Sequence, residues 1–426
     1  MRDLLEKYFD RLWPICRSIS GDGLRESFKI LQEIIPLELL EVKSGTQVLD
    51  WAVPKEWNIR EAYILTPQGE KIADFRVNNL HVVNYSTPIH QKMAWSELQP
   101  HLHTLPEKPE AIPYLTTYYK ERWGFCLSHN QYSTLPHEGE YTVVIDSTLS
   151  EGAITLGHLV LPGSSDEEIF FSSYLCHPSM ANNELSGPLA LAFLYAQIAS
   201  IPNRKYTYRF IIAPETIGVI AYLNLFGEHM KSKTRAGYVL TCLGDRGHYN
   251  YKRSKRSNSI ADKVAEHVLR FQEEKYAIRE FSVGGSDERQ YCSPGYNLPV
   301  GSLMRSVYHE FPEYHTSLDN KDFISFEHLE KTVSTYTKIV ETFEGDLFYT
   351  GTVQHGEPML GKHGMYPSSS TPDVNRNEVM KLMHFLTYAD GQTSLLDIAE
   401  KMNLPLLEFQ EIARKCLDKV LVTVEK

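Results

Sequence analysis

The sequence predicts an α/β protein with a mostly parallel sheet in a three-layer sandwich, a small inserted β domain and a C-terminal winged helix. Three observations carry this reading. Residues 114–350 alternate short apolar runs with amphipathic stretches, residues 38–112 are β-prone and broken by turns, and residues 374–426 show three helical patterns and a strand pair. A chain of 426 residues exceeds one ordinary core, so a large domain with smaller attachments is expected.

Residues 1–37 space their apolar positions helically, break at Ser20, Gly21, Asp22 and Gly23, and end at Pro36, which predicts two helices. Acids scattered among the apolar residues of this stretch exclude a secretory signal. The β-prone region follows, with turns such as Pro67-Gln68-Gly69, and Pro106, Pro109 and Pro113 mark the return from it. Strands are then expected at 141–147, 153–161, 168–175, 206–213, 236–243 and 298–304. Helices are expected at 188–200, 222–230, 259–274 and 327–343. A loop rich in Gly, Pro and Ser over 351–373 leads into the winged helix. The expected domains are 1–37 with 113–350, the insert 38–112, and 351–426.

The net charge of −11 opposes nonspecific binding to nucleic acid. The winged-helix segment itself carries several acids, which favours packing or protein contact over lying on phosphates. The basic run at 251–257 reads as a solvated loop. No run approaches the roughly 20 apolar residues that span a bilayer. Six dispersed cysteines without a CxxC pair suit buried thiols in a reducing cytoplasm. A soluble cytoplasmic protein is expected, whose insert and winged helix offer places for contact between two copies of the chain.

Chemistry concentrates where predicted strands end. Residues 174–187 leave one strand and enter a helix, the position at which an α/β sheet gathers ligands, and they contain His177 and Glu184. A neutral imidazole and a carboxylate suit Zn²⁺. Glu215 follows the apolar strand ending at Ala213 and Pro214, where it can serve as general base. The turn Gly284-Gly285-Ser286-Asp287 presents a carboxylate suited to orienting a ligand or substrate. His315 offers a further metal ligand, and Asp319 lies four residues on. No GxSxG elbow supports a serine hydrolase.

In this order the signals resemble the zinc exopeptidases of the bacterial aminopeptidase clan. The whole chain resembles a group of bacterial aminopeptidase-like proteins with an inserted β domain and a C-terminal winged helix. Residues 13–21, 50–57, 79–81 and 118–126 carry that wider likeness. The resemblance implies a second metal in such enzymes. Here Asn183 stands where a bridging Asp is implied, Thr216 where a second Glu is implied, and Thr241 where a further Asp is implied. Glu184 therefore becomes the expected third ligand of a single zinc with His177 and His315, as in single-metal carboxypeptidases, with Glu215 as base and Asn183, Asp287 and Asp319 around them. The expected reaction is cleavage of an amide bond in a small peptide or an N-acylated metabolite. The losses at 183, 216 and 241 also fit a protein that binds a small ligand in the old cleft without cleaving it.

Overall fold

The computed structural model describes residues 1–365 and 372–424 and divides into two compact units, residues 1–262 with 274–334 and residues 263–273 with 335–426. Parts of the expected 351–373 loop and the last two residues of the expected strand pair lie outside the described residues.

The first unit is built on eight strands: β1 (Glu38–Lys43), β2 (Ala153–Leu161), β3 (Glu168–Tyr174), β4 (Thr207–Ala213), β5 (Thr234–Val239), β6 (Tyr249–Lys252), β7 (Tyr276–Arg279) and β8 (Val300–Met304). Their order is β1-β2-β4-β3-β5-β8-β6-β7. The centre, β4-β3-β5-β8, is parallel, and β1 and β2 add antiparallel strands at one edge. All seven residues of β3 are buried, as a central strand covered on both faces requires.

Chain direction fixes where ligands gather. The helix α1 (Ser186–Ala199) takes β3 to β4 on one side, and α2 (Ile217–Lys233) takes β4 back past β3 to β5 on the other. Right-handed crossovers in opposite directions put these helices on opposite faces of the sheet. The reversal at β3 opens a crevice at the carboxyl ends of β3, β4 and β5, where His177, Glu215 and Thr241 emerge. Both helices are apolar nearly all round, with Leu189, Leu191 and Leu194 of α1 and Val219, Ala221 and Leu223 of α2 buried.

The insert differs from its expected bounds. Glu38–Lys43 belongs to the main sheet, registered Glu38 to His158 through Lys43 to Ala153. Conversely, Glu140–Ser150, expected in the large domain, forms the spine of the insert's four-stranded sheet, pairing with Glu56–Leu65 on one side and Ile89–Ala94 on the other. Alternating residues announce a strand but not which sheet it joins.

The second unit carries a three-stranded sheet in which Phe348–Gly351 lies between Asp390–Ser394 and Val422–Val424, with helices Leu395–Met402 and Leu406–Asp418. The expected boundary at 351 falls inside this sheet. Ser394 caps its helix through the Asp397 amide, and His267 joins the unit through Nδ1 to Glu400 and Nε2 to the Leu406 amide. Among the described residues no helix is long and apolar enough to cross a membrane.

Candidate active site

His177 leaves β3 and its ring is buried, with relative exposure 4%. Its Nδ1 lies 3.1 Å from Glu184 Oε2, which also accepts from the Cys176 amide at 2.9 Å and from the His177 amide. The other Glu184 oxygen accepts from Arg17 Nε at 2.7 Å. Burial opposes charge on the imidazole, but the Glu184 hydrogen bond prevails and raises its pKa. With Nδ1 engaged, Nε2 is the nitrogen left for a ligand, and it points toward Glu215, whose Oε2 is 3.6 Å away.

In this structure Glu184, expected as a ligand, takes a supporting position beside His177. Its two oxygens already receive four donors, so it stands behind His177 and fixes the ring. Cys176 Sγ, His177 Nδ1 and Glu184 Oε2 do lie within 4.8 Å of one another. That side of the ring is closed by Arg17 and two backbone amides, and burial keeps the Cys176 thiol protonated.

Glu215 follows β4 and owes its direction to a tight turn. Ile217 N donates to Glu215 O at 2.8 Å, and Thr216 between them has φ 65° and ψ −76°, the strained γ-turn geometry. Such a backbone costs about 1–3 kcal/mol and persists where its surroundings impose it. Here Asp287 Oδ1 accepts from Thr216 N at 2.8 Å, and Arg289 donates to Thr216 Oγ1 at 3.1 Å. The Glu215 side chain keeps 27% of its surface open, while Asp287 is 1% exposed with Oδ2 lacking a partner. Burial, with Glu215 next, pushes the Asp287 carboxyl far up, and Glu215 is also raised by burial. The upward push is the stronger at Asp287, the more deeply buried of the two acids.

His315 sits in a turn with φ 53°, stacked on Tyr314 with ring centroids 3.9 Å apart. The extended segment 112–114 holds this turn, through Tyr114 N to His315 O at 2.9 Å and Ser317 N to Ile112 O at 2.9 Å. The Tyr114 ring packs on both histidines, whose own centroids are 5.4 Å apart. His315 Nε2 is buried without a partner. Burial, reinforced by His177, lowers its pKa to about 2, so it is a neutral imidazole with an unused nitrogen.

Asn183 and Asp319 have structural places beside these groups. Asp319 accepts from the amides of Asn182 and Asn183 at 2.6 and 2.8 Å, capping a wide helical turn over Ala181–Leu185. Asn183 Oδ1 accepts from Tyr174 OH at 2.6 Å, and the same hydroxyl meets Thr241 Oγ1 at 2.5 Å. A neutral, buried, mutually bonded trio thus fills the space where the implied second-site carboxylates of Asn183 and Thr241 would converge. Asp245 offers no substitute, since Asn182, Gly247 and Ser306 occupy its oxygens.

Four contributors were not legible as site residues. Arg17 and Tyr174 lie in stretches the sequence singles out but nothing there marks them as site residues, and Arg289 carries no motif signal. Lys252 fell in the basic run read as a solvated loop, yet it is 3% exposed. Its Nζ donates to the carbonyls of Ser282 at 3.0 Å and Gly284 at 3.1 Å and pairs with Glu288, so it pins the turn that presents Asp287. Tyr118, from a stretch that carries the family likeness, bonds to Tyr114 beside the histidines at 2.9 Å.

A buried histidine pair, an adjacent glutamate and a strand-end crevice define an α/β protein of the aminopeptidase-like class. The chain belongs to the family described as a domain of unknown function (DUF4910), matched over residues 6–346, followed by a winged helix-turn-helix over 348–424. A Clostridium acetobutylicum protein provisionally named as a polysaccharide biosynthesis protein with an aminopeptidase-like domain is 45% identical over 403 residues, covering 95% of this chain and 91% of its own. A crystal structure from Clostridium acetobutylicum, of a protein suggested to be a peptidase, aligns with TM-score 0.94 at 42% identity over 100% and 96% of the two chains. A zinc aminopeptidase from Bacillus subtilis shares the fold, with TM-score 0.57 at 12% identity over 80% and 93%.

Proposed function

We propose that the protein is a single-zinc amide hydrolase in which His177 and His315 hold the metal and Glu215 handles the proton. The observation that carries this is the pair of buried imidazoles with ring centroids 5.4 Å apart, His177 engaged by Glu184 through Nδ1 and His315 holding a buried Nε2 without a partner. Neutral imidazoles suit zinc, and the Tyr174, Asn183 and Thr241 trio favours one ion over two. Bound zinc supplies a Lewis acid that polarises a carbonyl and acidifies water.

The chain's own groups do the rest. Glu215, ionised and open on one side, takes the proton of the attacking water as its oxygen bonds to the carbonyl carbon. It then returns that proton to the leaving nitrogen as the C–N bond breaks. Asp287 holds the Thr216 amide and thereby the direction of Glu215. A small peptide or an N-acylated metabolite carries an amide of the kind this chemistry cleaves, and the name of the Clostridium acetobutylicum relative favours an N-acylated sugar.

Full-length protein purified under zinc-replete conditions should hold about one equivalent. Replacing either histidine by Ala should remove it, and Glu215→Gln should keep the metal while turnover disappears. Metal content unmoved by both histidine substitutions would refute the assignment. The neutral residues at 183, 216 and 241 also support a binding protein without turnover. A panel of aminoacyl and N-acetyl substrates, all bound by zinc-loaded wild type and none cleaved, would select that reading.

A further inference from the structure

The guanidinium of Arg289 stands beside the turn that carries Glu215 with most of its donors unused. Arg289 is half-buried on the short helix Glu288–Tyr291, directly after the acids Asp287 and Glu288. It has five N–H donors. Among the described residues its one hydrogen bond is to Thr216 Oγ1, and its Nε is buried without a partner. The neighbouring carboxylates do not bond to it: Glu288 pairs with Lys252, and Asp287 Oδ1 accepts from the Thr216 amide.

Its position matters as much as its free donors. The contact with Thr216 places it beside the residue that follows Glu215, and its charge acts on both Glu215 and Asp287, lowering each against the burial that raises them. The resemblance implies a carboxylate at 216, where this chain has a hydroxyl turned to Arg289. With Asn183 and Thr241 also neutral, a crevice expected to be acidic has instead lost three negative charges and presents a guanidinium. A free α-amine finds less to bind there than an anion does.

Resting on the hydrolase reading, we infer that Arg289 binds an oxyanion of the substrate, a carboxylate or a phosphate, so that the amide cleaved belongs to an acidic N-acylated compound. A planar fork of donors matches either group in a two-point contact, which a lysine cannot reproduce.

Binding to the zinc-loaded Glu215→Gln protein tests this without requiring turnover. Calorimetry compares two matched pairs, N-acetylmethionine against its carboxamide and N-acetylglucosamine 6-phosphate against N-acetylglucosamine. The charged member of at least one pair should bind roughly 10–100-fold more tightly, the range of a charge-assisted hydrogen bond. The pair showing the preference tells carboxylate from phosphate. Adding Arg289→Ala should bring that ratio close to one, and Arg289→Lys should recover only part of it. Equal affinities within both pairs, or a preference that survives Arg289→Ala in protein of unchanged circular dichroism, would overturn the inference. If the preference holds and depends on Arg289 while wild type cleaves neither acid, anion recognition stands and hydrolysis alone falls.

Discussion

Arg17 and Glu184 form an ion pair with Nε–Oε1 2.7 Å and both side chains fully buried. Arg17 NH2 also donates to the His177 carbonyl at 3.3 Å, so the segment before residue 22 grips both the peptide and the ring of the first histidine. Removing one partner strands a charge in the core, which costs about 3–5 kcal/mol. Arg17→Met should therefore lower stability by that amount in urea unfolding. In the fraction still folded, zinc affinity should fall roughly 10–100-fold, as expected when the group orienting a ligand is disturbed. Unchanged zinc affinity in Arg17→Met would mean that Glu184 orients His177 without help.

The Tyr174 hydroxyl joins Asn183 and Thr241, and Tyr174→Phe leaves two buried polar groups short of a partner. A loss of about 1–3 kcal/mol in thermal or urea unfolding is expected. Zinc stoichiometry should stay at one equivalent, because the substitution adds no carboxylate. Combining Tyr174→Phe with Asn183→Asp, Thr216→Glu and Thr241→Asp restores the implied second site and should raise binding to two equivalents by elemental analysis.

How far the sequence told this in advance depends on what each residue contacts. His177, Glu215 and His315 were legible because polar residues at the ends of buried strands have few structural reasons to be there. Glu184 was legible as a partner of His177 but not as a support, since seven residues of separation do not say which ring nitrogen it meets. Lys252 was hidden by its basic neighbours: one member of a charged run turns inward to Glu288, and sequence periodicity carries no sign of it. Arg17 and Tyr174 act across 167 and 67 residues, on Glu184 and Thr241, through contacts that only the fold creates. The insert's bounds failed for a related reason, because strand partners far apart in the chain, Asp146 opposite Glu61, are set by the sheet and not by local propensity.

Gly285 lies at φ +114°, and a Cβ there would stand 2.0 Å from the Tyr308 ring. Gly285→Ala must therefore displace the turn that carries Asp287. Backbone strain and overpacking together should cost roughly 2–5 kcal/mol. In a Tyr308→Ala background, itself destabilised by loss of a buried ring bonded to Glu288 and Lys252, Gly285→Ala should cost less than in wild type because the clash is gone, yet still about 1–3 kcal/mol for the strain. No further cost in that background would show that the positive φ is dispensable and that ring contact alone sets the turn.

Glu56 offers a stability switch away from the site. Its carboxylate receives two hydrogen bonds from Arg25, at 2.9 and 2.6 Å, and one from the Ala153 amide at 3.0 Å. The Arg25 bonds, outweighing burial, hold its pKa down to about 2 from an ordinary 4.5. A depressed folded-state pKa stabilises the protein above the unfolded value, and that stability drains away as pH falls from about 5 toward 2. The pair retains partial solvent contact, with side-chain exposures of 26% for Arg25 and 13% for Glu56, so screening reduces the contribution to roughly 1–2 kcal/mol. Urea unfolding across pH 7 to 3 should show Glu56→Gln less stable than wild type at pH 7, the two curves converging as the wild-type carboxylate is protonated. A gap that stays constant with pH would assign the loss to packing of the side chain and not to its charge.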